Sequence, residues 1–404
     1  MFSSYLIQFF FQEFLPTLNY IFLKARYFGV SSFGLSVSFI WSLIIFLMLL
    51  ILESFALWKV VKLLAGWATN TSNDGMIGRL SGSIFYGNAL LSLYLSSKFV
   101  NSWQQLSSHW LSIETTTGLR FPPDVRIKKR ALLVTGFVGV CAVAEHMLSM
   151  MSATGFDIPP EEYFHRYIMS SHGFLLNPQD YSIWVGVPIF ILSKIATVLW
   201  NFQDLIIILI SMGLTSRYHR LNLYVNHAIT VERRFKGKQK FGTEFYVHIQ
   251  VWRRIREAYV RQAKLVRMVD SKLGGLVLLS NVNNFYFICL QLCTYCHFSF
   301  RSKDKGSSIN RCYYALSLGW LLIRACCVVL AASDVHLHSQ IALKCLHTCP
   351  SSSYNVEMRR LQYQLTHDFV GLTAMGFFSL KRELLLQVAA AILKYELVLV
   401  QYDM

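Results

Sequence analysis

Residues 37–58 read VSFIWSLIIFLMLLILESFALW, a run that is long and apolar enough to cross a membrane as a single helix. A bilayer core of about 30 Å needs roughly 20 apolar residues in helical conformation. Six further stretches of comparable length follow this one. They lie at 82–103, 131–152, 183–212, 273–300, 312–332 and 383–402. The sequence therefore predicts an all-α membrane protein with seven transmembrane helices.

The composition of the whole chain agrees with a membrane protein. Its 404 residues are 54% hydrophobic and only 15% charged, whereas soluble proteins average about 25% charged residues. Such a chain is too apolar for a disordered protein and too long for a small disulfide scaffold. The net charge of +16 then points to cations gathered on one side of a membrane.

The positions of Lys and Arg predict the orientation. With the N-terminus in the cytosol, cytosolic segments hold 26 of the 38 basic residues and outer loops hold 8. Cytosolic loops are normally the basic ones, so we expect a cytosolic N-terminus and an extracellular C-terminus. The one Asn-x-Ser/Thr sequence, at Asn70, lies in a loop predicted to be outside, which makes Asn70 a candidate glycosylation site.

These predictions divide the chain into six segments. Apolar residues at Ile249, Trp252, Ile255 and Tyr259 have helical spacing, so the basic part between spans 4 and 5 reads as helical extensions of both. The segments are a cytosolic N-terminal segment (1–36), spans 1–4 (37–212), basic cytosolic extensions (213–272), spans 5 and 6 (273–332), a cytosolic region with a second helix (333–382) and the last span (383–404).

The sequence lacks the common enzyme motifs. The sequence has no G-x-S-x-G, no Walker loop and no H-E-x-x-H, and we expect neither a cofactor nor a bound metal. Cys296 and Cys312 flank the short loop 301–311, which is predicted to be outside, and they could pair in an oxidising exterior.

Ionisable residues inside the spans are the informative ones, because each costs a few kcal/mol to bury in a bilayer. Asp204 in span 4 and Arg324 in span 6 could form a structural ion pair. Glu145 and His146 lie in the outer third of span 3. They could bind each other or a neighbouring helix, or they could bind a ligand.

Aromatic residues near the same outer end favour a particular ligand class. Tyr86, Trp184, Tyr295 and Tyr314 all lie towards the predicted extracellular ends of their spans. Polar groups framed by aromatic faces suit a hydroxyl-rich small molecule, which needs hydrogen bonds to its hydroxyls and apolar contacts for its C–H face.

The last nine residues of span 7 carry a family resemblance. Residues 394–402 read KYELVLVQY and resemble the TYhhhhhQF signature of insect gustatory receptors, where h is hydrophobic. Tyr395 and Gln401 match, whereas Lys394 replaces Thr and Tyr402 replaces Phe. Four longer segments are similar to the sugar-receptor branch: AEHMLS (144–149), WNFQDLIIILIS (200–211), QAKLVRMVDSKLGGLVLLSNVNNFYFICLQL (262–292) and CYYALSLGWLLIRA (312–325).

The resemblance implies a sugar-gated, non-selective cation channel in the plasma membrane of taste neurons. It implies a homotetramer or heterotetramer, with the cytosolic helices as anchor and the last helix lining the pore. The motif match gives Gln401 and Tyr402 the pore role, and Lys394, seven residues before Gln401, shares its helical face to within about 20°; with Tyr395 these are the predicted pore and gate residues. The predicted ligand-binding residues are Glu145, His146, Gln291, Trp184, Tyr314, Tyr86 and Tyr295. A ligand-silent co-receptor subunit is the main alternative, and a transporter is a third reading.

Overall fold

The computed structural model describes residues 14–34, 36–67, 76–116, 124–155, 159–176, 179, 181–234, 243–301, 308–349 and 354–402. This part of the chain is almost entirely helical, and its β-structure is one isolated bridge between Thr373 and Ser379. The helices are α1 (Phe14–Ala25), α2 (Val37–Leu64), α3 (Met76–Thr116), α4 (Ile127–Thr154), α5 (Pro160–His172), α6 (Ile183–Arg234), α7 (Thr243–Arg301), α8 (Ser308–His347), α9 (Val356–His367) and α10 (Glu383–Tyr402).

Each of the seven predicted spans falls within one long helix. Five of these helices, α2, α4, α6, α7 and α8, are long and apolar enough to cross a membrane by length and composition. Over the described residues, α3 and α10 do not reach that level. The expectation of a helical, membrane-type protein is therefore confirmed, while the count of seven spans stays a prediction.

Local sequence explains where several helices begin and end. Ser36 caps α2, because its Oγ accepts a hydrogen bond from the backbone N–H of Phe39 at 3.3 Å. Asn355 caps α9 in the same way through Met358 N–H at 2.9 Å. Pro160 occupies the first turn of α5, where its missing N–H costs nothing. Gly155, with φ of 74°, ends α4.

Helix α6 forms the centre of the bundle. It packs against α3, α4, α7 and α8, and every residue from 201 to 211 is buried. Helix α2 shows the opposite pattern, with large apolar side chains such as Ile51 and Phe55 exposed. A belt of exposed apolar side chains around a partly polar interior is the arrangement that a bilayer requires.

The segment between α9 and α10 is bound to two of the long helices. The carboxylate of Asp270 on α7 accepts hydrogen bonds from the backbone N–H of Thr373 at 2.6 Å and from its Oγ1 at 2.8 Å. Asp334 on α8 forms an ion pair with Arg382 at 2.8 Å. The start of α10 is thereby fixed to α7 and α8.

Candidate ligand-binding site

A cavity of about 560 Å³ opens at one end of the helix bundle. Its walls come from the first turns of α3 and α8, the first half of α6, the last turns of α4, the outer part of α7, and α5. Because successive long helices run in opposite directions, all of these parts meet at the same end. That end is the one that the charge distribution predicts to be extracellular.

One wall of the cavity is an acidic and amide-rich cluster. Glu145 on α4 accepts a hydrogen bond from the Oγ of Ser317 on α8 at 2.7 Å. Gln291 on α7 donates its Nε2 to the same Ser317 Oγ at 3.1 Å. The Oε1 of Gln291 is buried without a hydrogen-bond partner among the described residues. The cluster therefore contains one acceptor whose hydrogen-bonding capacity is unused among the described residues.

The ion pair that the sequence predicts lies at the floor of the cavity. Arg324 on α8 and Asp204 on α6 form an ion pair with 2.8 Å between Nε and Oδ2, which confirms that expectation. Both residues are almost fully buried. The guanidinium group also donates to Asn201 Oδ1 at 2.7 Å, and it stacks 4.5 Å above the ring of Trp200.

A second group of lining residues is basic and aromatic. Lys194 on α6 donates from Nζ to the hydroxyl of Tyr167 at 2.7 Å and lies 3.5 Å from Nδ1 of His146. The rings of His146 and His172 lie 6.4 Å and 6.0 Å from that of Tyr167. Three nitrogen-bearing side chains from α4, α5 and α6 thus gather around one tyrosine.

Hydroxyls and aromatic faces complete the lining. Serines supply hydroxyls from five helices, and the rings of Phe85, Trp200 and Phe287 supply flat apolar surface. The lining serines are Ser81, Ser149, Ser152, Ser170, Ser171, Ser193 and Ser317. A cavity of this size and chemistry can hold a small polyhydroxylated molecule, with hydrogen bonds around its rim and packing on its C–H faces.

The predicted binding residues divide into four groups. Glu145, His146, Gln291 and Tyr314 line the cavity. Tyr86 lies behind the wall, fully buried, with its hydroxyl 3.3 Å from Nδ1 of His172. Trp184 does not line the cavity; its side chain is 85% exposed in the first turn of α6. The side chain of Tyr295 lies outside the described residues.

Glu145 and His146 do not form the acid–imidazole unit that their adjacency suggests. Neighbouring residues on an α-helix point about 100° apart. Glu145 accordingly reaches α8, whereas His146 reaches Lys194 on α6. The two residues therefore contact different helices on the two sides of α4.

The sequence alone does not indicate several of the residues that line the cavity. Helix α5 lies in a segment that reads as an extracellular loop, so Tyr167 and His172 were not candidates. Lys194 is a cation within the predicted span 183–212, and its residue type alone indicates no particular role. The signal was present, because a buried ammonium group is as costly as a buried carboxylate.

For most of the other predicted site residues the structure does not describe the side chains. Lys394 is exposed on α10, and the side chains of Tyr395, Gln401 and Tyr402 lie outside the described residues. Asn70 is also outside them, so its glycosylation stays a prediction. Cys312 is a free cysteine and the side chain of Cys296 is not described, so the structure does not show the predicted pairing.

Comparison with known proteins identifies relatives across most of the chain. A family model described as trehalose receptor matches residues 30–404. The chain is 30% identical over 338 residues to the gustatory receptor for sugar taste 64a of Drosophila melanogaster, covering 80% of this chain and 69% of that protein. It is 28% identical over 331 residues to gustatory receptor 5a for trehalose of the same fly, covering 79% and 68%.

Solved structures agree at the level of the fold. The insect olfactory receptor OR5 from Machilis hrabei, in complex with eugenol, superimposes with a TM-score of 0.64. The match covers 97% of this chain and 99% of that receptor, at 13% sequence identity. The family model and the sugar-taste relatives carry the assignment further, to a family of membrane chemoreceptors and not of enzymes. This chain therefore belongs to the trehalose receptor family of gustatory receptors.

Proposed function

We propose that the chain is a subunit of a sugar-gated, non-selective cation channel in the plasma membrane of taste neurons. The observation that carries this proposal is the cavity, in which Glu145, Gln291 and Ser317 face aromatic rings across a space of about 560 Å³. The relatives named for sugar taste and trehalose support a saccharide as its ligand.

The proposed topology has seven transmembrane helices, with the N-terminus in the cytosol and the C-terminus outside. Support comes from the 26 basic residues on the cytosolic side against 8 outside. In this orientation the cavity faces the exterior, where a tastant arrives. The basic inner halves of α6 and α7, together with α9, then lie in the cytosol.

We assign the pore to α10 in a tetramer. Gln387, Lys394 and Gln401 repeat at intervals of seven on this otherwise apolar helix, so they share one face to within about 20° per repeat. Gln387 and Lys394 are both exposed in the single subunit. A polar stripe on an apolar transmembrane helix favours a water-filled lumen over lipid. Tyr395 and Tyr402 complete the proposed gate region.

Helix α7 offers a route from the ligand to this pore. Phe287 lines the cavity, and it belongs to an apolar cluster with Ile288 of α7 and Ile392 of α10. A ligand can shift the equilibrium only by binding the open arrangement more tightly than the closed one. A displacement of α7 that accompanies tighter binding would be transmitted through this cluster to α10.

Replacing Glu145 tests the proposal. We expect Glu145→Ala to abolish sugar-evoked calcium signals in cells that express this chain, because the variant removes the acceptor that Ser317 now binds and that a ligand hydroxyl would use. The measurement is calcium imaging against a panel of sugars, with surface biotinylation to show that the channel reaches the membrane.

Glu162→Ala is the matched control, since Glu162 is exposed on α5 and does not line the cavity. Normal dose–response curves for Glu145→Ala would contradict the proposed site. If wild-type protein responds to sugars only when co-expressed with a relative, and Glu145→Ala then has no effect, the chain is the ligand-silent co-receptor instead.

A further inference from the structure

The cavity has two chemically different poles. The Glu145 pole holds Glu145, Gln291 and Ser317, and the charge of the neighbouring Arg324 is compensated by Asp204 beneath it. The Lys194 pole holds Lys194, His146, His172 and Tyr167. One formal negative charge thus remains at the first pole and one positive charge at the second.

Lys194 has no acidic partner. Its Nζ donates to the Tyr167 hydroxyl and lies over the rings of Tyr167 and Phe190, at 4.5 Å and 4.3 Å. Among the described residues it forms no ion pair, unlike Arg324 on the cavity floor. An ammonium group held between aromatic rings in a cavity loses much of its hydration, so it gains from any anion that reaches it.

Two further nitrogen atoms near Lys194 are also without partners. Nε2 of His146 and Nε2 of His172 are buried, and neither has a hydrogen-bond partner among the described residues. His172 is only 7% exposed, although it lines the cavity. Buried polar atoms normally find partners, so the unused capacity of these two nitrogen atoms favours a ligand group that can bond to more than one of them.

We infer that the Lys194 pole is a subsite for the carboxylate of an acidic sugar, such as a uronic acid, whose hydroxyls then extend towards the Glu145 pole. The inference rests on the proposed function, because it places an acidic saccharide in the same cavity. The reverse orientation would place the ligand carboxylate beside the Glu145 carboxyl group and away from Lys194, so the proposed binding is directional. Lys194 acts in this as a specificity-determining residue.

The test compares D-glucose with sodium D-glucuronate, which share a ring and differ at one carbon atom. Binding is measured by thermal unfolding of the full-length protein in detergent, titrated with each compound at matched sodium concentration. A charge-assisted contact with Lys194 predicts a Kd for glucuronate about tenfold below that for glucose. This comparison uses the wild-type protein and does not depend on the folding of any variant.

Variants then assign the preference to the lysine. In Lys194→Gln we expect the preference for glucuronate to disappear, while the Kd for glucose changes less than about threefold. Lys194→Arg keeps the charge and should retain the preference. Lys98→Gln is the matched control, because Lys98 is an exposed lysine on α3 that does not line the cavity.

The outcomes separate this inference from the proposed function. Glucose binding without tighter glucuronate binding overturns the inference alone. An equal loss of affinity for both compounds in Lys194→Gln also overturns the inference, because Lys194 would then only shape the cavity. Binding of neither compound overturns the sugar-binding function together with the inference.

Discussion

Arg324 shows how a single residue ties the site to the core of the bundle. Its guanidinium group lines the cavity, yet its charge is neutralised within the protein by Asp204, and Asp204 also accepts hydrogen bonds from Ser280 and Asn284 on α7. Three helices, α6, α7 and α8, meet at this pair. We therefore expect the pair to hold the floor of the cavity in place.

Replacing one member of the Asp204–Arg324 ion pair should destabilise the protein. We expect Asp204→Leu or Arg324→Met alone to destabilise the protein by about 3–5 kcal/mol, because each leaves a buried charge without its partner. The double variant should recover much of that loss, since two apolar side chains carry no desolvation penalty. Thermal unfolding of the four proteins without ligand measures both effects. Additive losses in the double variant would mean that the charges are not coupled.

Residue types predicted the Glu145 pole better than the Lys194 pole. Glu145 and Gln291 are polar residues in apolar spans, so they stand out from the sequence alone, whereas His146 is the one member of the Lys194 pole that does. Trp184 is a candidate because of its residue type, but its position around the axis of α6 directs its side chain away from the cavity. Which face of a helix looks inward depends on the neighbouring helices, and a single span does not contain that information.

At the scale of elements, continuous runs of about 20 apolar residues predict the long helices. Helix α5 escaped prediction because its 13 residues are too short and too polar to resemble a span. Its packing against α4 and α6, which brings Tyr167 and His172 to the cavity, is a tertiary effect. The missing part of the site is therefore the part that depends on a short element placed by its neighbours.

Helix α9 is held to α7 by charge. Glu357 accepts from Arg256 on α7 at 2.7 Å and from Arg360 at 2.7 Å. These hydrogen bonds, that of Arg256 first, lower the pKa of Glu357 below its ordinary value of 4.5. A lowered carboxylate pKa adds stability that is present above the ordinary value and is lost as the pH falls through the lowered one.

We expect Glu357→Gln to be less stable than the wild-type protein at neutral pH, by an amount that stays constant down to about pH 5. The difference should then shrink as the solution becomes more acidic, because the wild-type carboxyl group also becomes neutral. Thermal unfolding of both proteins between pH 3 and pH 7 tests this. A difference that grows towards acid would contradict the assigned contact.

At the scale of the whole molecule, the charge distribution predicts how the bundle sits in the membrane. The proposed orientation puts Asn70 outside, within reach of glycosylation. We expect treatment with an N-glycosidase to reduce the apparent mass of protein from insect cells, and Asn70→Gln to abolish that reduction. A C-terminal epitope should be accessible to antibody on intact cells. Labelling of that epitope only after permeabilisation would contradict the orientation.

Helix α7 is a single unbroken helix of 59 residues, about 88 Å long at the normal rise per residue. It lines the cavity near one end and holds Thr373 through Asp270 further along. A rod of this length is a lever: a tilt of 2° moves its far end by about 3 Å. In the proposed orientation, a contact at the cytosolic end of α7 that favours one tilt would change the affinity of the cavity by the same coupling free energy. Under the proposed function, the sugar concentration needed for a response would then depend on which subunits bind that end.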